Sequence, residues 1–153
     1  MNFLRVALVV TGVFVTASIG YGQGGPTQKK PVAAEVVSSQ RSSPAYAEVL
    51  LRRTEIEAEL ESLLVEYTED YPKVKQDRFE LDLISKESDR LLAVKPADAT
   101  KLTEALGKLI VRKVELQGEL WQLQQQFGDA HPDVKRAKRK VEIFEKAIKE
   151  ILG

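Results

Sequence analysis

The sequence predicts an all-α protein. It reads as two duplicated antiparallel helical hairpins, four helices in a coiled-coil-like or up-down bundle, after a signal peptide and a disordered tether. Three observations carry this. Apolar residues recur at alternating spacings of three and four through most of residues 44–152, the period of a helix seam and not of a strand. Two short breaks interrupt the pattern, and each carries an aromatic residue, a proline and a valine in the same order. Finally, shifting residues 49–92 by sixty aligns them with 109–152 without a gap. Ten of the 44 positions are identical, among them Pro72 with Pro132 and Val74 with Val134, and these shared break residues favour a duplication over two unrelated coiled coils.

The elements follow in order. Residues 1–22 have the layout of a secretory signal peptide: Arg5, an apolar run from Val6 to Val15, then Ala17, Ser18, Gly20 and Gly22. The run of about 15 residues is shorter than the roughly 20 that span a bilayer, so export with cleavage is expected. An uncleaved membrane anchor is the alternative. Residues 23–43 are rich in Gly, Pro, Ser, Gln and Lys and predict a flexible linker. Repeat one occupies 44–92. Ser43 and Pro44 supply a cap and a first helical residue, and the seam runs Tyr46, Val49, Arg53, Ile56, Leu60, Leu63, Tyr67. After Pro72 a more polar seam follows: Val74, Asp77, Leu81, Ile84, Ser88, Leu91.

Residues 93–100 form a connector, with Asp98 or Thr100 as candidate caps of the next helix. Repeat two occupies 101–153. Its first seam is Leu102, Leu106, Leu109, Lys113, Leu116, Leu120, Leu123, Phe127, with Gly128 as the expected helix terminator. Its second is Val134, Ala137, Val141, Phe144, Ile148, Ile151. Short breaks favour antiparallel neighbours. The seam register also continues through both breaks, so two long kinked helices meeting near 93–99 remain the alternative. Residues 45–67 carry a net charge of −4 and residues 132–152 a net charge of +3; in an up-down-up-down bundle these two helices would touch.

Composition narrows the function. Lys plus Arg equals Asp plus Glu, 23 each, which gives no overall pull toward nucleic acid. The absence of cysteine removes disulfides, thiolate metal sites and cysteine nucleophiles. The sequence contains no phosphate-binding glycine loop, no Ser/His/Asp set and no zinc-protease motif. No cofactor, metal site or enzymatic activity is expected.

The candidate residues each have a plain structural reading. His131 is the sole histidine, and its counterpart sixty residues earlier is Tyr71, which points to a ring packed at a turn more than to a metal ligand. Lys135, Arg136, Lys138, Arg139 and Lys140 form a basic cluster, either a solvated face complementing the acidic first helix or a contact for an anionic envelope partner such as a polysaccharide. Trp121 stands where repeat one has Glu61, as core filling, self-association or a partner anchor. Arg53 and Lys113 interrupt the two seams at equivalent positions, either to set register or to extend outward.

The stretch Leu120-x-x-Leu123-x-x-x-Phe127-x-x-x-His131-Pro132-x-Val134, with its first copy at Leu60, Leu63, Tyr67, Tyr71, Pro72 and Val74, resembles the periplasmic coiled-coil region of polysaccharide co-polymerases, the chain-length determinant and exopolysaccharide transport proteins. The likeness covers about 45 residues per copy, and the family's two transmembrane helices, α/β domain and cytoplasmic kinase domain are not in this sequence. It implies a non-enzymatic, periplasmic or secreted coiled-coil protein of the cell envelope, associated with polysaccharide export or chain-length control. Such a protein would act through self-association or an envelope protein partner, without nucleic acid and with the membrane only if the N-terminal segment is retained. A periplasmic holdase-type chaperone and a small-ligand-binding four-helix bundle are the competing expectations.

Overall fold

Three of the four long helices among the described residues start at a side chain that caps them. The computed structural model describes residues 32–153, with side chains from residue 37; the signal-peptide expectation for residues 1–22 lies outside the described residues. The helices are α1 (Val32–Arg41), α2 (Pro44–Glu66), α3 (Pro72–Leu92), α4 (Glu104–Gln126) and α5 (Pro132–Leu152), with a 3₁₀ turn at Pro96–Lys101 and no strand among the described residues. At the start of α2 the Ser43 hydroxyl accepts the Tyr46 N–H at 3.3 Å. At the start of α4 the Thr103 hydroxyl accepts the Leu106 N–H at 3.3 Å. The two caps lie sixty residues apart, so the repeat extends to its first residue. Thr103, and neither Asp98 nor Thr100, caps α4; those two residues are spent in the 3₁₀ turn.

Both breaks are reversals and not kinks. Lys73 reaches Glu59 at 3.1 Å and Arg52 reaches Glu80 at 3.3 Å, which sets α3 antiparallel to α2. Pro72 and Pro132 each open the returning helix, where a missing N–H costs nothing. Gly128 is not the terminator. Phe127 caps α4 in an extended conformation, as Tyr67 caps α2. Among the described glycines only Gly153 has positive φ, and Thr68 occupies the equivalent place in the first turn.

The hairpins stack side by side. The Ala45 N–H donates to the Leu102 carbonyl at 3.2 Å, and Arg52 lies 3.9 Å from Glu115, so α2 and α4 run parallel and in contact. The α3 helix packs on both, and α5 packs along α4 and the 3₁₀ turn. The expected contact between the acidic first helix and the basic fourth is therefore not made: α2 and α5 do not pack along one another. The reason is steric. Gly107 lets α4 come so near α2 that a Cβ there would stand 2.9 Å from the Ala45 Cα, and a Cβ at Gly118 would overlap the Glu80 side chain. With α4 drawn against α2 and α3, the side of α4 left for α5 is the far one.

The linker expectation for 23–43 is overturned over its second half. Residues 32–41 form α1, and Gln40 is buried with its amide donating to the Val94 carbonyl. That anchor holds α1 across the end of the first hairpin, where it touches α2, α3 and the 3₁₀ turn.

The core gathers Val49, Ile56, Ile84, Leu91, Leu106 and Ile110 with their neighbours. Every apolar residue assigned to a seam of α3 or α5 is buried or half-buried. Helix α4 is buried on a second face as well, through Gly107, Ile110, Val114 and Gly118, because it is the one helix with neighbours on both sides.

Candidate interaction surfaces

The turn motif folds into the same clasp twice. The Tyr67 and Tyr71 rings stack at 4.1 Å with planes 16° apart, and the Phe127 and His131 rings stack at 4.2 Å and 18°. In each turn the first aromatic N–H closes on the carbonyl four residues back at 2.8 Å, and Val74 or Val134 is fully buried beneath it. The ring pair brackets the reversal, and the proline after it fixes the first helical residue. The His131 Nδ1 accepts the Asp133 N–H at 3.3 Å, so this histidine serves as a cap. No group of three or more metal-ligating side chains comes together among the described residues. Because α2 and α4 are parallel, both clasps project from one end of the molecule, and the Gln122 amide donates to Gln76 just below them.

Trp121 is half-buried and stacks on Phe79 of α3 at 5.5 Å, with planes 20° apart. It thus belongs to the junction between the hairpins. It also borders a shallow depression lined by Asp70, Pro72, Lys75, Gln122 and Gln125. None of the basic-cluster residues reaches that depression, so the structure does not bring Trp121 and the cluster into one site. On α5, Lys138 pairs with Asp129 at 2.9 Å, Arg136 with Asp133 at 3.5 Å and Arg139 with Glu142 at 3.5 Å. The Lys138 hydrogen bond holds the Asp129 carboxyl below its ordinary range. Lys135 and Lys140 are exposed and make no ion pair among the described residues.

The junction between the hairpins contains charges that the seam pattern does not reveal. Lys113 and Glu87 are both buried and meet at 2.6 Å, whereas Arg53, the equivalent of Lys113, is 35% exposed and pairs with Glu57 along its own helix. Arg52 bridges Glu55, Glu80 and Glu115. Burial pushes the Glu80 and Asp77 carboxyls up, against the pull of Gln76 and Arg52 on one and of Lys73 on the other. The signal for this network was present in the repeat: Arg52 and Glu55 recur unchanged as Arg112 and Glu115.

Two helix faces are left uncovered by the described residues. On α2, Leu50, Leu51 and Val65 are 40%, 58% and 84% exposed. On the α4–α5 side, Ala105, Lys108, Arg139, Lys140 and Ile143 are exposed. No helix of the described residues is long and apolar enough to cross a membrane. Compared with protein-family models, curated proteins and solved structures, the chain gives no significant match.

Proposed function

We propose that this protein is a non-enzymatic, exported helical-repeat protein that presents its helix faces to a partner of the cell envelope, in polysaccharide export or chain-length control. The observation that carries the interaction role is the pair of uncovered faces. Leu50 and Leu51 are exposed on α2, while their equivalents sixty residues on, Ile110 and Val111, are buried and half-buried beneath α2 and α3. An apolar face of a repeat that is covered in one copy and open in the other is an interface awaiting an occupant. The envelope setting rests on the export-signal layout of residues 1–22 and on the doubled clasp, whose residues carry the resemblance to the co-polymerase coiled coil.

A fusion of the full chain to a reporter that is active only outside the cytoplasm tests the setting. Activity that depends on residues 1–22 is expected, and an inactive reporter refutes export. Cross-linking in intact cells tests the role. Adducts to envelope proteins or labelled polysaccharide should weaken when Lys135, Arg136 and Lys140 are changed to Gln. Their persistence would remove the basic face from the reading.

A further inference from the structure

We infer that the occupant of these faces is a second copy of this chain, stacked head to tail so that the outer face of its α2 covers the open face of α4 and α5. This deepens the preceding reading and rests on it for the role of the protein. The chain already contains one such junction, where α4 lies on α2 and α3. The sixty-residue repeat gives each partner in that junction an equivalent on an open face. The outer face of α2 is the equivalent of the face α4 turns inward. The open face of α4 and α5 is the equivalent of the face α2 and α3 turn toward α4.

Carrying the internal contacts across by sixty residues predicts the external ones. The internal pair Arg52–Glu115, at 3.9 Å, becomes Arg112 facing Glu55 of the second copy. The Phe79–Trp121 stack becomes Arg139 facing Glu61. The close approach of Ala45 to Gly107 becomes Ala105 facing Ala47, and that of Glu80 to Gly118 becomes Lys140 facing Ala58, both at a wider spacing because each alanine carries the Cβ that the glycine lacks. Every residue named on the outer junction is exposed or, for Arg112, 49% exposed.

Charge supports the match. Arg52 has the buried Glu80 as a tertiary partner, but the position equivalent to Glu80 is Lys140. Arg112 therefore shares its face with Lys140 and Arg139 and, among the described residues, finds acids only along its own helix, at Glu115 and Glu119. The outer face of α2 supplies Glu55 and Glu61 at the mapped positions. The acidic α2 and the basic α5, which do not pack along one another within one chain, meet between two. The two faces differ, so each added copy leaves one of each kind open, and the assembly has no built-in stop.

The test uses the full chain and solution mass by light scattering across concentration. Mass that rises without settling on one oligomer, and falls with added salt, is expected. Ala58→Arg obstructs one face and Ala105→Arg the other, both at exposed positions. Each variant alone should stay monomeric, and an equimolar mixture should form a one-to-one pair. Glu61→Arg and Arg139→Glu should each weaken association by about fivefold, and the double variant should restore it. Association through residues 1–31 would ignore all four substitutions and would overturn the inference. So would a mass that stays monomeric to about millimolar concentration, where even the weakest specific contacts show, or a closed dimer insensitive to Ala58→Arg. A monomer with a cross-linked envelope partner sinks the stacking alone, and stacking without export sinks the envelope setting alone.

Discussion

Glu87→Met should be the most damaging conservative substitution at the junction between the hairpins. Glu87 is the sole hydrogen-bond and ion-pair partner of the Lys113 ammonium among the described residues, at 2.6 Å, with the two side chains 9% and 6% exposed. Removing it strands a cation between α3 and α4, at a cost of roughly 3–5 kcal/mol. That is a large share of the 5–15 kcal/mol typical of a whole domain. At about 4 °C per kcal/mol for a chain of this size, melting should fall by about 12–20 °C. The reverse substitution, Lys113→Met, should cost less, because Glu87 keeps the solvated Arg90 guanidinium at 2.6 Å. The double variant Glu87→Met/Lys113→Met should lie within about 1 kcal/mol of the parent or above it, since a well-packed apolar pair replaces a desolvated ionic one. Urea unfolding of all four proteins closes the cycle. A Glu87→Met cost below about 1 kcal/mol would mean that Lys113 swings out to water as Arg53 does, and would refute a buried tie between the hairpins.

Three further outcomes follow from the geometry. Gly107→Ala should destabilise by about 1–3 kcal/mol despite gaining helix propensity, because its Cβ would meet Ala45 backbone at 2.9 Å; Gly128→Thr, with nothing within 4 Å of a Cβ there, should change urea unfolding by less than about 0.5 kcal/mol. His131→Ala should lose about 1 kcal/mol with the ring stack and the cap, while His131→Tyr, which copies Tyr71, should lose less; equal losses by thermal unfolding would deny the ring its role. Burial raises the Glu80 carboxyl above its ordinary value, so the folded state takes up a proton first and this group adds stability as pH falls from neutral through its raised pKa toward the ordinary Glu value near 4.5. Relative to Glu80→Gln, the parent should therefore gain stability on acidification across that window, and parallel curves for the two proteins would contradict the assignment.

The seams were legible because burial on one side of a helix imposes a period, and Val74, Ile84, Leu106 and Ile148 lie where the spacing put them. The breaks were legible through Pro72 and Pro132, and the clasp through the recurrence of aromatic residues on either side of each break, but the seam register that runs through both breaks left a kink open beside a reversal. The packing partner of each helix was not. Net charge paired the first helix with the fourth, but long-range charge complementarity is a weak determinant beside the close approach that two glycines permit. Gly107 and Gly118, eleven residues apart with Ile110 and Val114 between them, formed a second stripe on α4 that marked it as the helix with two neighbours. Helix α1 was hidden because a ten-residue segment of low propensity holds its shape only against a tertiary anchor, here Gln40 on Val94.

Comparing equivalent positions shows how one repeat can make two kinds of junction. Inside the chain the contact uses Gly107 and Gly118 for close approach, an aromatic stack and a buried ion pair. The glycine contacts and the ion pair are buried and the stack is uncharged, so these features respond little to salt. At the mapped outer positions the glycines become Ala47 and Ala58, the stack becomes Glu61 opposite Arg139, and the Glu87 acceptor becomes Ala147. The methyl groups hold the second copy slightly farther out, and solvent-exposed charges replace buried ones. Exposed pairs contribute a fraction of a kcal/mol each and weaken with ionic strength. The inner junction is thus built to be permanent and the outer one to be reversible, so association between copies should respond to salt over a range in which the fold of each copy does not change.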